Sequence, residues 1–262
     1  MRRIAVANMK GGVGKTTTAI HLAAGLAARG RKVLLVDMDP QGNVAHALRL
    51  RPTHSLEDLM LGAASAGDVV LRGVRERLDV IASTPAAFAL EQRLAGEAQR
   101  ETILSRRLRD LNGYDVTVID SSPAMNLLTY NALLFSDQVI VPVAMDVMAL
   151  IGARQTLNGI EEVRRLWPER RIELLAVLPT FTTTANNATR AAFDALERDR
   201  EMNSSLFRPG IRQSIDLNYS TAQRKTIWEY APRSRAAEDY SRFVDFVEEK
   251  EQHGLKEKEA VV

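Results

Sequence analysis

Lys10-Gly11-Gly12-Val13-Gly14-Lys15-Thr16-Thr17 is the stretch on which the reading of this chain turns. It follows the apolar run Ile4-Ala5-Val6-Ala7 and opens onto a helical pattern. Closely spaced glycines let a backbone turn its N–H groups inward onto phosphate oxygens, and the N-terminus of the following helix adds a favourable dipole. Lys15 stands where a side chain reaches the β and γ phosphates of a nucleotide, and Thr16 where a hydroxyl ligates Mg²⁺. The spacing is that of a GxxxxGK[ST] phosphate loop, except that Met9 occupies the first glycine position. A glycine-rich turn without a ligand is the alternative, and the Gly14-Lys15-Thr16 ending between strand and helix argues against it.

Two acidic strand ends point to the same place. Val33-Leu34-Leu35-Val36-Asp37-Met38-Asp39 and Val116-Thr117-Val118-Ile119-Asp120 are apolar runs closed by carboxylates. In an open parallel sheet, ligands sit beyond the carboxyl ends of the strands, so the three loops are expected to face one cleft. One carboxylate can hold Mg²⁺ through water, and another can orient the attacking water of an in-line phosphoryl transfer. As lone residues, Asp37 and Asp39 also suit turns. Lys10 has no task in a single phosphate loop. From the rim it suits a nucleotide held by a facing subunit, or it is a solvated surface lysine.

Outward from the loop, short runs rich in β-branched residues alternate with longer helical patterns. Strands are expected at Arg3–Ala7, Lys32–Val36, Leu78–Ile81, Val116–Ile119, Gln138–Val143 and Ile172–Leu178. Helices are expected at Lys15–Ala28, Ala86–Leu111, Met125–Leu134, Val147–Leu166 and Asn187–Asp199. Such alternation predicts right-handed crossovers and a mainly parallel, twisted sheet covered by helices on both faces, an α/β fold. No internal repeat or linker divides it. One domain over residues 1–250 is expected, with 251–262 a frayed, charged tail.

Composition narrows the chemistry. The 262 residues hold 35 Lys and Arg against 33 Asp and Glu, a formal net charge of +2, so any nucleic-acid affinity needs a local patch. The absence of cysteine excludes disulfides, thiolate zinc sites and iron–sulfur clusters. His21, His46, His54 and His253 lack metal-ligand spacing, and a lone histidine is more often core or surface. No run reaches the roughly 18 apolar residues of a spanning helix, and the first strand follows Met1 too closely for a secretory leader. A cytoplasmic protein is expected.

With these residues in view, the chain resembles the ParA family of deviant Walker-A ATPases, relatives of MinD, and its Soj-like members in particular. The likeness rests on the 10–17 loop, on Asp37-Met38-Asp39-Pro40-Gln41-Gly42-Asn43, and on Asp120-Ser121-Ser122-Pro123 with Leu127-Leu128-Thr129 and Asn131-Ala132-Leu133. It continues through Val141-Pro142-Val143 to Tyr230-Ala231-Pro232-Arg233-Ser234-Arg235-Ala236-Ala237. The resemblance implies a P-loop ATPase that binds ATP and Mg²⁺ through Lys10, Gly11, Gly12, Val13, Gly14, Lys15, Thr16 and Thr17. It implies Lys10 as the signature lysine crossing a dimer interface, Gly11 at the closest subunit approach and Thr17 near the α-phosphate. Asp39 matches the carboxylate needed for hydrolysis, here also counted among the metal-site residues with Thr16 and Asp120. ATP then closes a sandwich homodimer that binds duplex DNA without sequence preference, and a ParB-like or cargo-adaptor protein stimulates slow hydrolysis. The implied role is chromosome or plasmid partition on the nucleoid. Departures from the family pattern are Ser122 in the usual Asp-x-Pro-Pro, a missing arginine near Ala185, and Ser214–Ser220 in place of a Ser-Glu-Ala-Pro-Ser segment. Because the first strand opens the sequence, the helix-turn-helix that precedes this region in larger relatives is not expected.

Basic residues gather late: Arg208, Arg212, Arg224, Lys225, Arg233 and Arg235. On one face they would neutralise phosphates in a salt-sensitive, sequence-independent way, with Arg212 at the position of a DNA-contacting arginine in Soj-like proteins. The bland alternative is a solvated surface. Ala236, Ala237, Tyr240, Phe243, Val244 and Val247 recur at helical spacing, but the carboxylates on the other face suit a core-packing helix rather than a membrane anchor. Beside partition, the same switch could position a protein cargo, such as a chemotaxis cluster or a microcompartment. A MinD-like membrane regulator and a metabolic phosphotransferase complete the field.

Overall fold

In a computed structural model of the chain, seven strands form one sheet: β1 (Arg2–Val6), β2 (Val33–Met38), β3 (Val70–Arg75), β4 (Leu78–Ile81), β5 (Val116–Ser121), β6 (Gln138–Ala144) and β7 (Glu173–Thr180). The described residues are 1–146, 148–183 and 187–260; for Ala149 and 252–260 only the backbone is described. The strand order is β3-β4-β2-β5-β1-β6-β7, and every pair is parallel except β3 with β4. β2 and β5 are buried along their whole length, as central strands covered on both faces must be, which is why they read as largely apolar runs rather than as strict alternation.

Helices pack on both faces. On one, Lys15–Ala28 lies against the long helix Arg235–Ala260. Tyr240, Phe243, Val244 and Val247 of that helix are buried in the core with Leu22 and Leu26, so its apolar stripe belongs to the protein interior. Gly25 is required here, because a Cβ would lie 2.6 Å from a Val244 methyl. On the other face, Leu56, Leu59, Leu90, Ile103, Leu104, Leu127 and Leu128 cover β2 and β5. A third cluster joins helix Ala149–Leu166 to β6 and β7.

Two expectations need correction. The continuous helix Ala86–Leu111 is broken into a 3₁₀ turn at Pro85–Ala89 and short pieces at Leu90–Arg93, Arg100–Thr102 and Ile103–Arg107. The break passes through Gln99, which sits in the left-handed region at φ 53°. The antiparallel edge strand β3 was not expected: it is polar, bulged, and interrupted by Gly73 at φ 63°. The expected frayed tail falls mainly on residues 252–262, whose side chains lie outside the described residues.

Candidate functional site

The glycine loop follows β1 at the carboxyl edge of the sheet and feeds the helix that starts at Lys15. Gly12 at φ 73° and Gly14 at φ 86° occupy left-handed backbone that a side chain would strain, and Gly14 caps the helix. Distant side chains hold the loop. Thr180 Oγ1, at the end of β7, donates to the Val13 carbonyl at 2.9 Å. Asn8 donates from Nδ2 to the Pro142 carbonyl at 2.7 Å and accepts the Lys10 N–H at 2.8 Å. The Met9 N–H donates to Thr156 Oγ1 at 3.0 Å. The sequence alone did not mark Asn8, Thr156 or Thr180.

The two lysines of the loop have different surroundings. Lys15 is buried, and its Nζ donates to the Lys10 carbonyl at 2.9 Å. Burial lowers its pKa, against the pull of Asp120 and Asp39. Its ammonium thus rests inside the loop that a polyphosphate would fill. Lys10 is only half-buried, and its Nζ pairs with Asp146 at 2.6 Å, a partner also unforeseen in the sequence. The hydrogen bond from Lys10 holds the Asp146 carboxyl below the usual carboxylate range.

Adjacent strands bring the carboxylates together: Asp37 of β2 stands beside Asp120 of β5 in register. Both are fully buried. Asp37 accepts the N–H groups of Asp39 at 3.0 Å and Val44 at 3.3 Å, so it organises the turn that follows β2. Burial, with Asp120 next, raises the Asp37 pKa well above the carboxylate range. Among the described residues, neither carboxylate oxygen of Asp120 has a hydrogen-bond partner. Burial pushes its pKa up to about 7, with Thr16 and Lys15 opposing the rise and Asp39 adding to it. A buried carboxylate without a donor is costly unless a cation or bound water completes it. This is the donor chemistry that suits Mg²⁺ held together with the Thr16 hydroxyl. Asp39 lines the same cleft, steadied by the Gln41 N–H at 3.0 Å. The cleft measures about 440 Å³ and is bounded by Gly11, Lys15, Thr16, Asp39, Phe181 and Lys225, among others.

Comparison with known proteins agrees with this geometry. A family profile described as an AAA domain matches residues 1–173. The chain is 37% identical over 251 residues to the chromosome-partitioning ATPase Soj of Thermus thermophilus, covering 94% of this chain and 95% of that one. It is 36% identical over 242 residues to the sporulation initiation inhibitor protein Soj of Bacillus subtilis, covering 90% and 94%. The chain belongs to the ParA/Soj family of ATPases. Among solved structures, cobyrinic acid a,c-diamide synthase from Mycobacterium smegmatis, with a bound ATP analog and magnesium, superposes with a TM-score of 0.80. It shares 30% identity over 94% of this chain and 93% of its own. A name from biosynthesis on so similar a fold shows that the ParA-type architecture alone does not select partition.

The late cations of this ParA-family chain divide into two sets. Arg224, Lys225, Arg233 and Arg235 are exposed, with Arg224 at φ 60° and Lys225 on the rim of the nucleotide cleft. Arg212 is already engaged. Its Nε and Nη2 donate to both oxygens of Asp239 at 2.6–3.1 Å, and Nη2 reaches Glu238 at 2.9 Å. Asp239 is only 1% exposed, so Arg212 serves first as its counter-charge. The hydrogen bond to Asp239 raises the guanidinium pKa. Arg208 pairs with Glu197. The position near Ala185 lies outside the described residues.

His21 proves to be a structural link. It is buried, its Nδ1 lies 2.7 Å from the Thr17 carbonyl, and its Nε2 accepts the Ile227 N–H at 2.9 Å. That pairing puts the proton on Nδ1. The ring stacks on Tyr240 at 4.6 Å between centroids, and burial lowers its pKa to about 4. A neutral histidine thus ties the phosphate-loop helix to the segment that carries Lys225 and Arg233.

Proposed function

We propose that this chain is a nucleotide-driven switch for DNA partition, which binds Mg-ATP in the 10–17 loop, dimerises, holds duplex DNA without sequence preference, and hydrolyses ATP to reset. The observation that carries the reading is the pairing of a buried lysine inside the loop with a buried, unpartnered Asp120 carboxylate beside Thr16. Mg²⁺ would be held by Thr16 and Asp120 and would supply charge neutralisation at the phosphates. Lys15 exchanges the Lys10 carbonyl for β and γ phosphate oxygens, a stronger, charge-assisted partner. The loop N–H groups and the helix N-terminus bind the remaining charge. Asp39, steadied on the turn that Asp37 organises, orients the attacking water. Lys10 leaves Asp146 to reach the nucleotide of the facing subunit, and Gly11 permits the close approach.

For DNA, support comes from the exposed Arg224, Lys225, Arg233 and Arg235. One subunit offers few cations and the chain is nearly neutral, so dimerisation, by doubling the patch on one body, would raise affinity steeply. Arg212 contributes mainly by holding the surface together. The names of the Soj relatives, which speak of chromosome partitioning and sporulation, favour segregation as the task. A ParB-like adaptor that stimulates hydrolysis, and a cytoplasmic, nucleoid-associated location, complete the proposal. The test is binding to unrelated duplex fragments with ATP, with ADP and without nucleotide, at low and moderate salt. ATP-dependent retention of every fragment, weakened by salt, is expected. An ATP-bound dimer that ignores DNA at both salts would sink the partition reading while leaving the ATPase standing.

A further inference from the structure

A second cleft, of about 610 Å³, opens at the far edge of the sheet, where β1 begins rather than where it ends. Its walls include Arg3, Ser105, Arg106, Arg109, Trp167 and Arg170. The walls are fixed. Asn131, fully buried, accepts the Leu104 N–H at 2.9 Å and donates to the Arg100 carbonyl at 2.9 Å, which pins the Arg100–Arg109 segment. Arg3 is clamped by Asp137 and lies over the Phe135 ring, 5.2 Å from its centre. Among the described residues, three groups in this cleft lack partners. The Ser105 hydroxyl is buried without a hydrogen bond. Among the described residues, the guanidinium groups of Arg109 and Arg170 have neither an ion pair nor a hydrogen bond. Arg106 makes one long contact, to the Ala98 carbonyl at 3.3 Å. Two carboxylates also line the cleft: Glu101, which pairs with Arg100 outside it, and Glu169. Four arginines against these two leave the cleft cationic.

From this arrangement we propose that the cleft binds a phosphate group, either free or in the backbone of a nucleic-acid strand. Planar guanidinium forks match phosphate oxygens in pairs, and a buried hydroxyl supplies the further donor. The site is separate from the phosphate loop and does not depend on it. Helix Leu127–Phe135 has one end at each: it starts beyond Asp120 and finishes at Phe135 in the cleft, about 14 Å away at 1.5 Å per residue.

Trp167 in the wall is a built-in reporter, and Trp228 is the only other tryptophan. The experiment keeps the phosphate loop saturated with Mg-ADP and follows Trp167 fluorescence in Trp228→Phe. The probes are inorganic phosphate and a short single-stranded oligonucleotide. Calorimetry on the unmodified chain under the same conditions covers a failure of that variant to fold. Saturable binding of either probe, weakened about tenfold or more by Arg109→Gln with Arg170→Gln and unchanged by Arg198→Gln, an exposed arginine outside both the cleft and the late basic patch, is the expected result. Binding of phosphate alone identifies a small-molecule site, and binding of the strand alone a nucleic-acid site. No saturable binding of either, or equal binding by the double variant, overturns the proposal.

Discussion

The carboxyl edge of the sheet and the late basic segment both collect charge, but in opposite states of completion. At the carboxyl edge, Asp120 is buried with no partner and Lys15 rests on a backbone carbonyl, so the site is unfinished without a ligand. In the late segment, the arginine that the sequence ranks first, Arg212, is finished: Asp239 and Glu238 already answer it. Counting cations finds both regions. Only the pairing distinguishes a binding group from a brace, because a guanidinium already paired with a buried carboxylate gains little from a phosphate and strands its partner by leaving.

The sharpest way to break this contrast is Lys15→Ala. It removes the charge from the centre of the unfinished site and should weaken ATP binding by about a hundredfold or more, from the worth of charge-assisted hydrogen bonds to phosphate. Calorimetry showing unchanged affinity would remove the site. Arg212→Ala should act in another currency. It strands a buried Asp239, and the variant should lose about 2–3 kcal/mol of stability in urea melts, below the range for fully buried pairs because Arg212 is partly solvated. Arg233→Gln and Arg235→Gln should change stability by no more than about 0.5 kcal/mol while lowering DNA affinity and flattening its salt dependence. If Arg212→Ala melts like the unmodified chain, its pairing is not structural and the distinction between the two regions fails.

His21 joins the two regions and gives the contrast a pH signature. Its pKa falls from the ordinary 6.5 to about 4 in the folded chain, chiefly through burial. The unfolded chain therefore binds the extra proton first. The contribution is whole above about pH 6.5 and is lost as pH falls toward 4, amounting to about 2 kcal/mol between pH 7 and pH 5. Denaturation across that range should show the loss, and His21→Asn should reduce the slope. The smallest expected effect on the isolated chain is that of Gly11→Val. Gly11 has open space around the position of a Cβ, so stability and ATP binding should stay near those of the unmodified chain. Only association across the phosphates should fail, and an ATP-dependent dimer of normal affinity would refute the close approach at Gly11.

Much of the carboxyl edge was legible because its residues are neighbours in sequence. Gly12, Gly14, Lys15 and Thr16 act within one turn, and Asp37 and Asp120 end short runs dominated by Val, Leu and Ile. What stayed hidden was long-range: Asn8 and Thr156, or Lys10 and Asp146, meet only after well over a hundred residues of chain have folded between them. Arg212 and Asp239 are closer but lie on different elements. The false helix over 86–111 has a related cause. Leu90, Leu94, Ile103, Leu104 and Leu108 all join the same core cluster, so their spacing suggests one helix even though the helical run is broken at Gln99 between them. β3 left no trace, since an edge strand with Gly73 and the exposed Arg72 at its middle has neither the long apolar run nor the alternation that marks a strand.

The central claim, that the unfinished carboxyl edge is completed by Mg-ATP and thereby drives dimerisation, is tested most directly by sedimentation of Asp39→Ala. Asp39 lines the cleft without filling the phosphate loop, so its loss should spare binding and stop hydrolysis. With Mg-ATP the variant should sediment as a persistent dimer, and with ADP or no nucleotide as a monomer. A variant that binds Mg-ATP yet sediments as a monomer, or that hydrolyses ATP at the rate of the unmodified chain, would contradict it.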